Sequence, residues 1–208
     1  MEQIRESVFE RAIPGLRKAN KRHILDCALA CFDELGLEAT TIDVIRQRSQ
    51  SSIGTIYHHF GNKEGLVAAI FLAALDDLQA HIGPAMEAAP DLRGAIESMV
   101  RSYLAWVTEQ PTLARFMFQA RSLVASGEHK SELETRNKQR YGALIKRLAE
   151  AMERGVIRPL PKETYASLLI GQSENYCRAW LSGRVKGAPA EQAEVFAQAA
   201  WRAVASEA

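Results

Sequence analysis

The sequence predicts an all-α protein, with a three-helix, helix-turn-helix domain near its N-terminus and a larger helical domain behind it. Three observations carry this. Apolar residues recur at three- and four-residue spacing along nearly the whole chain, punctuated by Gly and Pro. No alternating run of strand length interrupts them. Between Thr40 and Lys63, two short helical patterns flank a tight polar turn, the arrangement that lays a short helix across another and suits a major groove.

Residues 1–16 mix charge with Val8, Phe9 and Ile13 and are broken by Pro14-Gly15, so they read as an N-terminal arm, either a short packed helix or a tail. From Arg17 to Leu35, the residues Ile24, Leu25, Ala28, Leu29, Cys31, Phe32 and Leu35 make a wide apolar stripe, and Gly36 suits a left-handed C-cap. Thr40 reads as an N-cap, Asp43 stands where a capping box needs it, and Ile42 and Ile45 face inward. Ser49, Gln50 and Ser51 interrupt the pattern. Ser52 then caps a helix from Ile53 to about Phe60 that Ile56 and Phe60 anchor. Gly61 ends it and Asn62 caps the next, which runs from Lys63 to about His81 on Leu66, Val67, Ile70, Phe71, Ala74 and Leu78.

Pro84 and Pro90 bracket a break. Helices follow at Asp91–Glu109, from Pro111 to Gly127, and at Lys130–Arg154, the last with a charged first half and a second half buried by Tyr141, Leu144, Ile145, Leu148 and Met152. Two more, Thr164–Ser182 and Ala190–Ala205, bring the total to about nine.

The composition, 47% hydrophobic and 25% charged over 208 residues, is that of an ordinary globular protein of one or two domains. A net charge of +1 excludes a general polycation. Affinity for DNA has to come from a local patch, for which Lys18, Lys21, Arg22, Arg46, Arg48 and Lys63 are available, or from helix N-termini. Three cysteines in no metal spacing read as buried small hydrophobes, Cys27 and Cys31 one helical turn apart. His58 and His59 are adjacent and so point to different faces, which predicts no metal site. No GxSxG, Gly-rich phosphate loop or HExxH is present, and Ser126-Gly127-Glu128-His129 reads as a helix end. The expectation is therefore no catalytic residue and no cofactor. Without a signal peptide or an unbroken apolar run of bilayer length, no membrane partner and a cytoplasmic location are expected.

The residues Ile24-Leu25, Ala28, Phe32, Gly36, Thr40-Thr41-Ile42, Ile45, Ser52, Gly54-Thr55-Ile56-Tyr57, His59-Phe60, Lys63-Glu64 and Leu66 resemble, in order and spacing, the N-terminal domain of the tetracycline-repressor (TetR) family over residues 17–77. The resemblance implies an arm at 1–16, a DNA-binding domain at 17–77 with its helix-turn-helix at 40–60, and a regulatory and dimerisation domain at 78–208. It implies a homodimer that occupies a pseudo-palindromic double-stranded DNA operator, most often as a repressor, and is released by a small-molecule effector. Tyr57 and Lys63 match the family's phosphate contacts. Thr40, Thr41 and Ser52 can add hydroxyl or backbone contacts, His59 can pack or touch phosphate, and base reading falls to Ser51, Ile53, Gly54, Thr55 and His58. The chain departs from the family at Gln50 and Ser51, where Gly and an apolar residue are common, and at Arg46, where a small residue is usual. A left-handed non-glycine residue is therefore expected in or beside the turn.

Behind this domain, Tyr103, Trp106, Phe116, Met117, Tyr141 and Tyr176 either line an apolar effector cavity or fill the core. Gln172, Glu174 and Asn175 interrupt an apolar helix and need a ligand, a subunit, water or solvent as partner. In the last two helices Tyr176, Trp180, Phe196, Ala199, Ala200 and Ala203 make apolar faces fit to complete a four-helix bundle with a second copy. The alternative from another class is an all-α enzyme or adaptor that kept the fold without DNA binding.

Overall fold

Ten α-helices make up the described part of the chain, residues 7–206 of a computed structural model, the side chain of Arg17 excepted. They are α1 (Val8–Ala12), α2 (Ala19–Leu35), α3 (Ile42–Ser49), α4 (Ile53–Phe60), α5 (Lys63–Glu87), α6 (Leu92–Glu109), α7 (Pro111–Ser126), α8 (Lys130–Glu153), α9 (Gln172–Leu181) and α10 (Ala193–Val204). Among the described residues no strand forms, and a single bridge joins Ile157 and Ala205.

The helices group into two compact units, Met1–Asp77 with Thr112–Glu134, and Leu78–Pro111 with Thr135–Ala208. Residues 112–134 depart from the expected 78–208 domain, because α7 packs into the first unit. Its Phe116 stacks on Phe32 of α2 with ring centroids 5.5 Å apart, and Arg115 pairs with Asp33.

In the first unit, α1 is the packed form of the arm. Ser7 and Glu10 close a capping box, Val8 and Phe9 are buried, and Arg11 forks onto Asp77 at 2.6 and 2.8 Å. The earlier part of the arm lies outside the described residues. Ile24, Leu25, Ala28, Cys31 and Phe32 of α2 are buried as the stripe required, but Leu35 is half exposed. α5 packs its apolar residues on several sides, which is the mark of a core helix. By length and composition this 25-residue helix would also span a bilayer, with mean hydropathy 1.4 over its most apolar window. The run is not unbroken, since Asp76 and Asp77 interrupt it. Of that window, 61% is buried inside the protein, as a core helix requires. The expected break at Pro84 is also absent, because α5 continues through it to Glu87 and the chain turns only before Asp91, the N-cap of α6.

In the second unit α10 lies on α6, with Ala197, Ala200 and Val204 as its buried stripe. Glu97 of α6 accepts from Arg93 at 2.8 Å and from Arg101 at 2.9 Å, and Arg101 reaches Glu194 of α10 at 2.9 Å. The expected helix Thr164–Ser182 is one path with three windings: a 3-10 turn at Lys162–Thr164, a π-helical stretch at Ser167–Gly171, then α9. In α8 the buried second half is Leu144, Leu148 and Ala151. Ile145 points away and is 57% exposed, a correction to the expected stripe.

Candidate nucleic-acid interface

The short helices α3 and α4 are held by caps at every end. Thr41, not Thr40, is the N-cap of α3, its hydroxyl accepting from the Val44 amide at 3.3 Å. Thr40 is unavailable because its buried hydroxyl serves the end of α2, donating to the carbonyls of Gly36 at 2.7 Å and Cys31 at 3.1 Å. The Thr40 amide also donates to the Gly36 carbonyl, at 3.3 Å, so Thr40 ties the loop back onto the end of α2. Asp43 accepts from Arg46 and Gln47 instead of closing a capping box. Gln50 ends α3 at φ 51°, ψ 27°, and is the left-handed non-glycine residue expected at the turn. Ser52 then caps α4 through the Thr55 amide at 3.0 Å.

An isolated helix of eight residues is unstable in water, so α4 depends on its inward face. Ile56 and Phe60 supply it, each buried side chain contributing about 2 kcal/mol. Gly61 closes α4 at φ 73°, and Asn62 caps α5 by accepting from the Gly65 amide at 2.7 Å. A Cβ on Gly65 would lie 2.0 Å from the Phe60 carbonyl oxygen, so the junction of α4 and α5 closes only around a glycine. Nothing in the residue pattern marked Gly65; the close approach is visible only in three dimensions.

The outward face of α4 carries Ile53 (52% exposed), Gly54, Tyr57 (48% exposed) and His58. Thr55 is half-buried with its hydroxyl 2.8 Å from that of Ser52, and Ser51 donates to the Ser49 carbonyl at 3.4 Å. Of the eleven residues expected at DNA, Thr41, Ser52, Ile53, Gly54, Tyr57 and His58 are exposed and Ser51, Thr55, His59 and Lys63 half-buried. Thr40 is excluded by its burial. His59 packs edge-on against Phe60 at 5.9 Å, and burial, with His58 and Lys21 adding to it, lowers its pKa. It therefore stays uncharged near neutral pH. Lys63 donates to the Glu38 carbonyl at 3.2 Å, which fixes its stem beside the start of α5.

The basic patch is thinner than the sequence count. Arg48 forks onto Glu34 at 2.6 and 2.7 Å, Arg46 pairs with Asp43 at 2.8 Å, and Arg22 donates to the carbonyls of Ile13 and Gly15. Lys21 stands over the Phe60 ring at 5.4 Å. Lys18, Lys21 and Lys63 remain without a carboxylate partner among the described residues, as does Arg22, which the carbonyls of Ile13 and Gly15 hold.

The residues expected at an effector or subunit surface divide. Phe116 and Met117 belong to the first unit, while Tyr103, Trp106, Tyr141, Gln172, Glu174 and Tyr176 lie in the second. Tyr103 and Trp106 are buried, Glu174 and Tyr141 half-buried, and Gln172 is exposed, so it lines no interior. Burial, with Cys177, Glu174 and Tyr141 close by, holds the Tyr103 phenol protonated far above its usual range. The Cys177 thiol is pushed up to about 12, chiefly by burial. Tyr176 donates to the Gly187 carbonyl at 3.0 Å and packs on Phe196 at 5.1 Å. Ala200 is only 3% exposed within the single chain, facing α6. Expecting it at a subunit surface was wrong, because the small residues of α10 serve its approach to α6 first. Trp180, Phe196, Ala199 and Ala203 remain partly exposed. Cys31 is buried and Cys27, half-buried beside His23, has its thiol pKa raised by burial. Among the described residues no cluster of three or more His, Cys, Asp or Glu is placed to hold a metal ion.

Residues 24–70 match the model for bacterial regulatory proteins, tetR family. The chain is 36% identical over 77 residues to the HTH-type transcriptional regulator BetI of Burkholderia thailandensis, covering 37% of this chain and 40% of that protein. It is 32% identical over 122 residues to the HTH-type transcriptional repressor KstR2 of Rhodococcus jostii, 57% of this chain and 60% of that protein. The matches thus span between about two fifths and three fifths of these relatives' lengths. A TetR family transcription regulator from Marinobacter aquaeolei shares the fold at TM-score 0.76 and 21% identity, over 92% of this chain and 98% of that one. The regulator FadR from Bacillus subtilis, in complex with stearoyl-CoA, does so at TM-score 0.74 and 16% identity, over 88% and 98%. The chain thus carries a domain of the tetR family of bacterial regulatory proteins over residues 24–70, within α2 to α5, and shares the fold of TetR family regulators along nearly its whole length.

Proposed function

We propose that this protein is a DNA-binding transcriptional regulator that works as a homodimer in the cytoplasm. It occupies a pseudo-palindromic operator and is released by a small-molecule effector. The observation that carries the DNA-binding part is the outward face of α4. Gly54 sits there with only Ser52 Oγ, 3.8 Å away, in reach of an added Cβ. The fold therefore has no need of a glycine at a position where glycine weakens the helix by about 0.5–1 kcal/mol. A surface that comes very close to the helix backbone, such as the edge of a base pair, gives that glycine a reason. Tyr57 and Lys63 flank it as phosphate ligands, Ile53 offers an apolar contact for a thymine methyl, and His58 a ring nitrogen for a base edge.

Repression is supported by the likeness to KstR2, named a transcriptional repressor, and response to an effector by the likeness in fold to a regulator that holds stearoyl-CoA. Dimerisation is supported by the outward side of α10, where Val195 is 66% exposed and Ala199 and Ala203 follow on the same stripe. A twofold pair presents two copies of α4 to sites one helical turn apart, about 34 Å, and an effector releases the pair by binding the mismatched spacing better.

The test is a gel shift of the full chain on the DNA upstream of its own gene. Retardation at concentrations that leave unrelated DNA free is expected. Equal retardation of both DNAs, or of neither, would sink the regulator reading in favour of an adaptor or enzyme on the same fold.

A further inference from the structure

The second unit contains two polar side chains on inward stripes that the fold leaves unsatisfied. Arg140 continues the buried line of α8 that runs through Leu144, Leu148 and Ala151, at a position where the periodicity calls for an apolar residue. The residue is half-buried, its Nε is sealed from solvent, and that Nε has no acceptor. Among the described residues no carboxylate pairs with this guanidinium, which lies over the ring of Tyr141 at 4.8 Å. Two turns further on, Arg147 shows what a satisfied arginine on this helix does, donating to the carbonyls of Met86 and Ala89 at 3.3 Å. The second orphan is Gln79, on the line of α5 that includes Ile82 and Met86, whose Oε1 is buried without a donor. Its amide can turn to present either its oxygen or its NH2.

With its Nε sealed from water and unpartnered, Arg140 leaves one buried donor unmade, a cost that an anion docking on the guanidinium with good geometry would remove. The planar fork of a guanidinium fits a carboxylate or a phosphate in two parallel hydrogen bonds. The ring of Tyr141 holds the guanidinium from one face and leaves its edge for such a partner. Tyr103, kept protonated by burial beside Tyr141, adds a phenol to the same neighbourhood and an apolar body around it.

We propose that the effector is an anionic amphiphile, one carboxylate or phosphate group on an apolar body, and that Arg140 is the residue that holds its charge, Gln79 being a second unanswered polar group of the same unit. This rests on the reading of the protein as an effector-controlled regulator and names the chemistry of that effector.

The experiment uses the full chain with octanoate, octyl phosphate and 1-octanol as probes, followed by tryptophan fluorescence and calorimetry. Wild-type protein binds both anions at least tenfold more tightly than 1-octanol, and the tighter anion identifies the head group. Arg140→Met loses at least tenfold in affinity for the anions, keeps that for 1-octanol, and melts no lower than wild type without ligand. Arg140→Lys keeps the preference for anions over 1-octanol. The proposal is overturned if 1-octanol binds as well as the anions, if Arg140→Met keeps anion affinity, or if no probe binds wild type. The gel shift is read separately. Wild-type DNA binding without anion binding removes this proposal alone, and anion binding without DNA binding removes the regulator reading alone.

Discussion

Gln50 occupies a conformation that costs a side-chain-bearing residue about 1 kcal/mol, in a turn where the family often has glycine. Gln50→Gly is therefore expected to stabilise the protein by up to about 1 kcal/mol in urea unfolding, with DNA affinity unchanged. A loss of stability would show that Gln50 repays its strain elsewhere. Gly54 and Gly65 make a sharper pair, since both stand in helices and only one is demanded by the fold. Gly65→Ala drives a Cβ into the Phe60 carbonyl and should destabilise by about 1–3 kcal/mol, as overpacked sites do. Gly54→Ala meets nothing closer than 3.8 Å, so it should melt as high as wild type or higher while losing at least tenfold in operator affinity. A Gly54→Ala protein that binds DNA normally would remove the argument for close approach at α4.

At the scale of elements, α6 and α10 are joined by an ion-pair line, Arg93–Glu97–Arg101–Glu194. The Arg101 guanidinium, helped by Gln198, holds the Glu194 carboxyl down to about 2 from an ordinary 4.5, and Arg93 with Arg101 lowers Glu97 in the same direction. Because these folded values are depressed, the stabilisation is complete above pH 4.5 and fades as the pH falls toward 2. Glu194→Gln should therefore flatten the loss of stability measured by urea unfolding between those values and change little near neutrality. On the other side of α10, Val195→Glu places a charge on an exposed position, so the chain should fold normally but sediment as a monomer. Ala200→Glu puts its charge against α6 and should lower the melting temperature whatever the assembly state. A dimeric Val195→Glu protein would move the proposed interface off this stripe. The sequence made α10 legible as a helix but not which of its alanines faced inward. Both sides are rich in small residues, and only the partner helix decides. The π-helical stretch Ser167–Gly171 was hidden for a related reason: its winding follows from packing, and nothing in SLLIG announces it.

For the whole molecule, the turn between α3 and α4, the caps at Ser52 and Asn62 and the exposed face of α4 were readable because local chemistry determines them. The assignment of α7 to the first unit, the diversion of Thr40 to α2 and the pairing of Arg46 and Arg48 depend on what lies across from each residue, so spacing alone was silent. On the proposed DNA-binding reading, that pairing also bears on how the protein would meet DNA in bulk. With Arg46 and Arg48 answered by Asp43 and Glu34, Lys18, Lys21 and Lys63 are left to meet phosphates in each protomer. The affinity of a dimer should then fall with salt along a log–log slope of about −5. Lys63→Ala should reduce that slope by about 2, one charge per protomer, and weaken all sequences alike, as should Tyr57→Phe without a change in slope. A change of base preference in either variant would show that these side chains read sequence. A chromosome presents on the order of a million or more competing sites, and a strongly cationic face would be sequestered along them. On the DNA-binding reading proposed above, the carboxylates of Glu34 and Asp43 would act as decoys built into the fold, competing with random phosphates for two arginines and leaving more copies of the protein free to find one address.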